Sequence, residues 1–361
     1  MPKRTIALAA PLREELGRLA AFEPTTWPVL SLYLDLRPDQ HGRRHYDPFL
    51  RKTFPERSRS FKGEARQSFD RDTERIRDYL AGLPASANGA AIFACAAEHG
   101  FFEAVALAAP VERHELHIGA SPHLYPLARL SDQYPRYAAL LVDTNSARLF
   151  VFSLGRTSDR AHVSNVKTRR ASGGGWSEAR YQRHVENFHQ HHMKEVVGVL
   201  ERVVREEGIE HIVAACDEVA RPLLMEQLPD DLADRLVDIG HAGIRAPEHE
   251  VLAETFGALR QRDADTDLER VEAMLGAWRA GGLAVAGPDN TLDALAKRQV
   301  EELLIAAAGF DDGKAALADE LVRGAHQNGA RVRFIEDASL LEDVGGVGAL
   351  LRFKIQAGRG R

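Results

Sequence analysis

The stretch Asp343-Val344-Gly345-Gly346-Val347-Gly348-Ala349-Leu350-Leu351-Arg352-Phe353 decides how the C-terminal third of this chain folds. Three glycines in four residues permit a tight turn with close backbone packing, and the run after them is long enough for an edge or closing strand over 349–355. Upstream of it, a helix is expected over 313–327 and a strand over 330–335. Further back, Gly287-Pro288-Asp289-Asn290 reads as a turn between a strand at 283–286 and a helix at 291–297, with another strand at 303–307. A helix through Met274 and Trp278 ends at Gly281-Gly282. Strand–helix alternation of this kind predicts an α/β/α sandwich for residues 263–361.

The middle of the chain opens with a hairpin. An apolar run at 137–143 meets Asp143-Thr144-Asn145-Ser146, good turn chemistry, and returns over 147–154. A basic loop carrying Gly173-Gly174-Gly175 follows, then a long amphipathic helix over 177–207. The run 211–216 is a buried strand, and helix and strand signals continue to about residue 261. Residues 134–262 thus form a second domain. Residues 1–133 form a first α/β domain, with a helix at 11–22, a strand at 28–35, a basic irregular stretch interrupted by Pro38, Pro48 and Pro55, a helix at 69–83, and strands at 90–95 and 101–107. The fold class expected is α/β throughout, in three domains, which suits 361 residues.

Charge separates regions that composition averages away. The chain carries a formal net charge of -6. Yet residues 41–66, with Arg43, Arg44, Arg51, Lys52 and Lys62, sum to about +5, and so do residues 156–183, with Lys167, Arg169, Arg170, Arg180 and Arg183. Two basic segments on an acidic body favour local contact with polyanions. Cys95 and Cys216 stand alone in apolar strand-like runs, as inert buried thiols of a reducing compartment do. Neither a membrane span nor a signal peptide is expected, so the location implied is cytoplasmic.

Several of these segments resemble the archaeal and eukaryotic class-one release factors and Pelota. Gly287-Pro288-Asp289-Asn290-Thr291-Leu292 and the Gly345–Phe353 stretch resemble that family's C-terminal domain, where a Gly-Gly-Ile-Gly-Ala-type segment closes the sheet. Asp143-Thr144-Asn145-Ser146-Ala147 is similar to the hairpin of its central domain. Lys167 to Arg183 is similar to its layout of a basic loop, a glycine pair and a helix, here begun by Ser177-Glu178-Ala179-Arg180-Tyr181-Gln182-Arg183. The resemblance covers residues 137–361 well and rests on strand order before that.

The resemblance implies a factor that binds ribosomal and transfer RNA in the A-site, with a translational GTPase as a candidate partner. In the family, a Gly-Gly-Gln loop positions water against the peptidyl-tRNA ester; a backbone N–H there stabilises the oxyanion. Here Gly174 and Gly175 remain, while Trp176 stands where the Gln is expected; Ser177 occupies the shifted Gln position of the related Vms-type peptidyl-tRNA hydrolases, and Glu178 follows. A carboxylate beside RNA is unfavourable unless protonated or metal-paired, whereas Trp176 can stack on a base. The candidate site is therefore Gly174, Gly175, Trp176, Ser177 and Glu178, flanked by the basic residues named above. Stop-codon reading is not expected: neither an Asn-Ile-Lys-Ser loop nor a Tyr-x-Cys-x-x-x-Phe strand occurs, and the comparable stretches read Ser60-Phe61-Lys62-Gly63-Glu64 and Ser121-Pro122-His123-Leu124-Tyr125.

Three functions follow. The first is peptidyl-tRNA hydrolysis in rescue or release. The second is non-hydrolytic shielding of idle, hibernating ribosomes. The third is a metal-dependent RNA enzyme built on Glu178 and the histidines His184, His189, His191 and His192. For those histidines, solvated or RNA-facing imidazoles are preferred over a metal set: His189 and His192 fall on one helix face, but no Cys or Asp completes a tetrahedron. No cofactor and no metal is expected. A P-loop is excluded because Gly-Lys-Ser/Thr is missing, and neither a serine elbow nor a dinucleotide fingerprint occurs.

Overall fold

The computed structural model describes residues 12–39, 43–83, 87–107, 109–153, 156–164, 178–240, 243–310 and 314–354. The chain divides into two compact units: one joins Met1–Tyr134 with Thr266–Arg361, and the other is Pro135–Asp265. The expected mixture of helices and strands is present throughout.

The N-terminal part of the first unit runs α1 (Leu12–Ala20), β1 (Val29–Asp35), α2 (Tyr46–Ser58), α3 (Gly63–Ala81), β2 (Gly89–Cys95), β3 (Phe101–Leu107), β4 (Glu115–Gly119) and α4 (Tyr125–Gln133). Its antiparallel sheet has the order β3-β2-β1-β4. Period-2 alternation splits the strand side chains between two faces. Leu30, Leu32, Leu34, Ala90, Ile92 and Ala94 pack with Leu50 and Phe54 of α2 and Phe69, Ile76 and Leu80 of α3. Ser31 and Tyr33 therefore face the other way. The stretch read as irregular is in fact the helix α2. Pro48 lies in its first turn, where no N–H is required, and Pro55 falls one turn from its end.

The second unit holds β5 (Tyr137–Val142), β6 (Ser146–Ser153), β7 (Arg156–Ser164), α5 (Glu178–Glu207), β8 (His211–Cys216), α6 (Ala220–Gln227), α7 (Asp230–Ala233) and β9 (Leu236–Gly240). The sheet order is β7-β6-β5-β8-β9, antiparallel across the hairpins and parallel from β5 through β9. The expected hairpin is present, with Asp143 N–H bonded to the Ser146 carbonyl. β7 was not anticipated: Arg156-Thr157-Ser158-Asp159-Arg160 is polar, as befits an edge strand. Helix α8 (Glu248–Arg279) begins in this unit and ends in the first.

The rest of the first unit is β10 (Ala284–Ala286), α9 (Pro288–Ala296), β11 (Val300–Ala306), α10 (Ala315–Gln327), β12 (Arg331–Ile335), a 3₁₀ turn over Ala338–Val344, and β13 (Val347–Leu351). The order β10-β13-β11-β12 corrects one expectation: the glycine-led strand is internal, not an edge. Its glycines meet distinct demands. Gly345 (φ 72) ends the 3₁₀ turn in the left-handed region, and Gly346 (φ 81) continues it. Gly348 lies under α8, where an added Cβ would stand 2.6 Å from Met274 Cε and 3.1 Å from the Val285 carbonyl oxygen. Cys95 and Cys216 are free and buried, and burial pushes both thiols up. No helix among the described residues is long and apolar enough to cross a membrane.

Candidate functional site

Residues 165–177, and with them Lys167, Arg169, Arg170, Gly174, Gly175, Trp176 and Ser177, lie outside the described residues. The structure defines the two ends from which this segment springs. β7 stops at Ser164, and α5 starts at Glu178 and carries Arg180 and Arg183 in its first two turns.

The base of α5 is firmly held. Met193, Val196, Val197, Leu200, Val203 and Val204 bury against Ala138, Leu140, Leu149 and Val151 of the sheet. His192 is fully buried, and its ring bonds to backbone at Ser146 and Asp143. Burial pushes this imidazole below its ordinary value. The turn that receives it is itself stiff: the Asp143 carboxylate accepts the N–H groups of Asn145 and Ser146, each at 2.7 Å. The hairpin resembling the family's thus anchors the helix that follows the glycine segment in sequence. This overturns the pairing of His189 with His192 on an open helix face. His192 is occupied by the hairpin, His189 is half-buried and His191 is exposed.

On the opposite face of that sheet, the Arg148 guanidinium donates to the carbonyls of Ile244 and Ala246 at 3.0 and 2.7 Å. Tyr137 shares a 2.9 Å hydrogen bond with Thr255 of α8, and burial pushes its hydroxyl up to about 12.

The N-terminal basic segment takes shape on α2 and the turn into α3. Arg43, Arg51, Lys52 and Lys62 are exposed, and Arg57 and Arg59 join them. Leu50 and Phe54 pin α2 to the sheet, so its charged face is turned to solvent. Arg51 stands 3.7 Å from Asp47, both well exposed, a pair worth little in water. Arg44 is different: its guanidinium donates to the Ala87 carbonyl at 3.0 Å and ties two loops together. Its role as a polyanion contact is therefore secondary to a structural one.

Sequence reading missed a third feature. The loop between β4 and α4 brings His123 to Asp319 of α10, with Nδ1 and Oδ2 2.6 Å apart and both residues buried. The other Asp319 oxygen accepts the N–H groups of Leu124 and Tyr125, which caps α4 from a distant helix. Tyr33 donates to the His123 carbonyl at 2.6 Å, and the Ser31 hydroxyl accepts the His123 N–H at 2.9 Å. His117 of β4 stacks on His123, with ring centroids 4.5 Å apart. Burial pushes His117 down, and His123 and Arg57 act in the same direction. These rings border a cleft of about 730 Å³ that Arg57, Arg113, Arg129 and Tyr125 also line. One signal was available: the apolar face of α10 buries Ala318, Leu321, Val322 and Ala325, and Asp319 sits among them. A carboxylate there needs a partner.

The central unit is a mixed α/β sheet whose hairpin anchors the long helix α5, which follows the glycine-rich segment in sequence. Residues 122–260 match the family described as bacterial archaeo-eukaryotic release factor family 10, and the chain is similar to release factors and Pelota proteins. The match contains α4, the hairpin, the glycine segment and all of α5. Among solved structures, the archaeal translation termination factor aRF1 is 20% identical, with 94% of this chain and 98% of that chain covered, at a TM-score of 0.26. Archaeoglobus fulgidus Pelota is 14% identical, with 74% and 80% covered and a TM-score of 0.35. An archaeal Pelota described as ribosome-bound with ABCE1 is 13% identical, with 97% and 96% covered and a TM-score of 0.45. No curated protein matches the chain.

Proposed function

We propose that this protein is a ribosome-associated translation factor that occupies the A-site, with the segment around Gly174-Gly175-Trp176 directed at the peptidyl-transferase centre. The observation that carries the reading is the family match over 122–260, which takes in the hairpin, the glycine segment and α5 as one module. The held base of α5 supports it, because a helix fixed by His192 and the hairpin gives the adjoining sequence a firm anchor on the protein. Basic residues at Arg180 and Arg183, and at Lys167, Arg169 and Arg170 before them, suit ribosomal and transfer RNA phosphates. In the N-terminal part, Arg43, Arg51, Lys52 and Lys62 present a second basic face, suited to RNA of the small subunit. A translational GTPase is the delivery partner in this reading.

On this reading, loop glycines let backbone approach the ester, and a backbone N–H near Trp176 to Glu178 orients water for peptidyl-tRNA hydrolysis. One observation favours a second reading, a shielding factor that does not hydrolyse. Trp176 replaces the usual Gln, and an indole stacks on a base without activating water. Co-sedimentation with ribosomes at low salt followed by a peptide-release assay separates the two. Release that is lost in Gly174→Ala and Gly175→Ala supports hydrolysis. Tight binding to vacant ribosomes without release supports shielding, and failure to co-sediment refutes both.

A further inference from the structure

We propose that His117, His123 and Asp319 form a binding site for a divalent transition metal of the zinc class. Their three ligand atoms lie within 4.8 Å of one another, and they come from separate elements: β4, the loop before α4, and α10. Two imidazole nitrogens and one carboxylate oxygen are a donor set that suits such ions. The site is built before any ion arrives. Hydrogen bonds from Leu124 and Tyr125 stop the Asp319 carboxylate from rotating, and the Ser31 and Tyr33 contacts fix the backbone of His123 on both sides. His117 is the movable member. It lies half-buried on an edge strand, and its ring makes no hydrogen bond with any other described residue.

Bond lengths of about 2.0–2.2 Å place neighbouring ligand atoms about 3.3 Å apart. The His123–Asp319 pair must open slightly from 2.6 Å, and His117 must close by rotating its side chain. The ion then takes the place of the hydrogen shared by His123 and Asp319, whose proton moves elsewhere on the ring or to solvent. The remaining coordination position faces the 730 Å³ cleft, which is also the entry path. Three protein ligands with one open position is the pattern of a site that binds a further ligand on the metal.

The test uses the full chain, stripped with a chelator and titrated with Co²⁺ by visible absorption, then with Zn²⁺ against a chromophoric chelator. The wild type is expected to bind one ion with the intense d–d bands of a low-coordinate site. His117→Ala keeps the His123–Asp319 hydrogen bond and the α4 cap, so it folds, and it is expected to weaken binding at least tenfold to about 100-fold. The double variant His189→Ala/His191→Ala, which removes one half-buried and one exposed imidazole on α5, is expected to bind as the wild type does. The proposal is overturned if no ion binds, or if His117→Ala binds the ion as tightly as the wild type. Loss of the bound ion in the α5 variant overturns it equally.

Discussion

Asp72 is a buried carboxylate whose proton the fold retains, and its replacement gives a measurable stability change of known sign. It lies on the inner face of α3, one turn from Ser68. Its Oδ2 accepts the Ala96 N–H at 2.8 Å, while the Ser68 hydroxyl accepts the Ala97 N–H at 3.0 Å. Together they hold the turn that follows β2. Burial pushes the Asp72 carboxyl up to about 6 from 3.8, against the pull of the Ala96 N–H and of Arg75, 3.5 Å from Oδ1. Between these two values the folded chain keeps the proton and the unfolded chain has lost it. Stability from this group is therefore complete below pH 3.8, declines as pH rises, and levels off above about pH 6. A rise of this size corresponds to about 3 kcal/mol at 1.36 kcal/mol per pH unit. Asp72→Asn keeps a carbonyl oxygen for Ala96 and removes the titration. The variant is expected to match the wild type near pH 4 and to exceed it by up to about 3 kcal/mol near pH 7.5. Urea unfolding at a series of pH values measures this. A stability difference that is the same at both ends of the range would falsify the argument.

Other predictions follow from the same geometry. Asp319→Ala orphans the N–H groups of Leu124 and Tyr125 and the His123 ring, and is expected to cost about 3 kcal/mol or more in chemical denaturation; a loss under about 1 kcal/mol refutes its role as a cap. Gly348→Ala drives a methyl into Met274 and towards the Val285 carbonyl oxygen, and is expected to cost about 1–3 kcal/mol, checked by thermal unfolding. Met274→Ala in the same chain should recover part of that loss. Reversing Arg51, Lys52 and Lys62 to Glu should weaken ribosome co-sedimentation and flatten its salt dependence, while Arg44→Glu should lower stability as well, through the lost Ala87 contact. Arg44 is only half-exposed, so a purely electrostatic effect at that position contradicts the structural role assigned to it.

Local chemistry made much of this fold legible. The hairpin was readable because Asp143 carries its own turn bonds, and α5 because Val196, Val199, Leu200 and Val203 recur at helical spacing. Elements whose stability comes from elsewhere were not readable. α2 contains two prolines, and its hold on the sheet comes from Leu50 and Phe54 meeting residues far along the chain. β7 has little apolar pattern and exists because β6 offers it a partner. The internal place of β13 depends on β10 and β11 flanking it, which no feature of its own eleven-residue neighbourhood specifies.

The same division explains the sites. The glycine segment is a contiguous string, so its residue types, its basic flanks and its missing Gln could all be read directly. The His123–Asp319 pair is separated by 196 positions, and no spacing rule reaches that far. Yet each partner was locally out of place. Asp319 interrupts an apolar helix face, and Ser31 is the polar member of a strand that is otherwise apolar or aromatic up to Asp35. A buried polar group must find a partner or destabilise the fold, so two such residues in one unit imply a polar network between their elements. Here that network runs from β1 through the loop at His123 to α10. It joins the N-terminal sheet to the C-terminal one within the first unit, which explains why residues so distant in sequence form a single compact body.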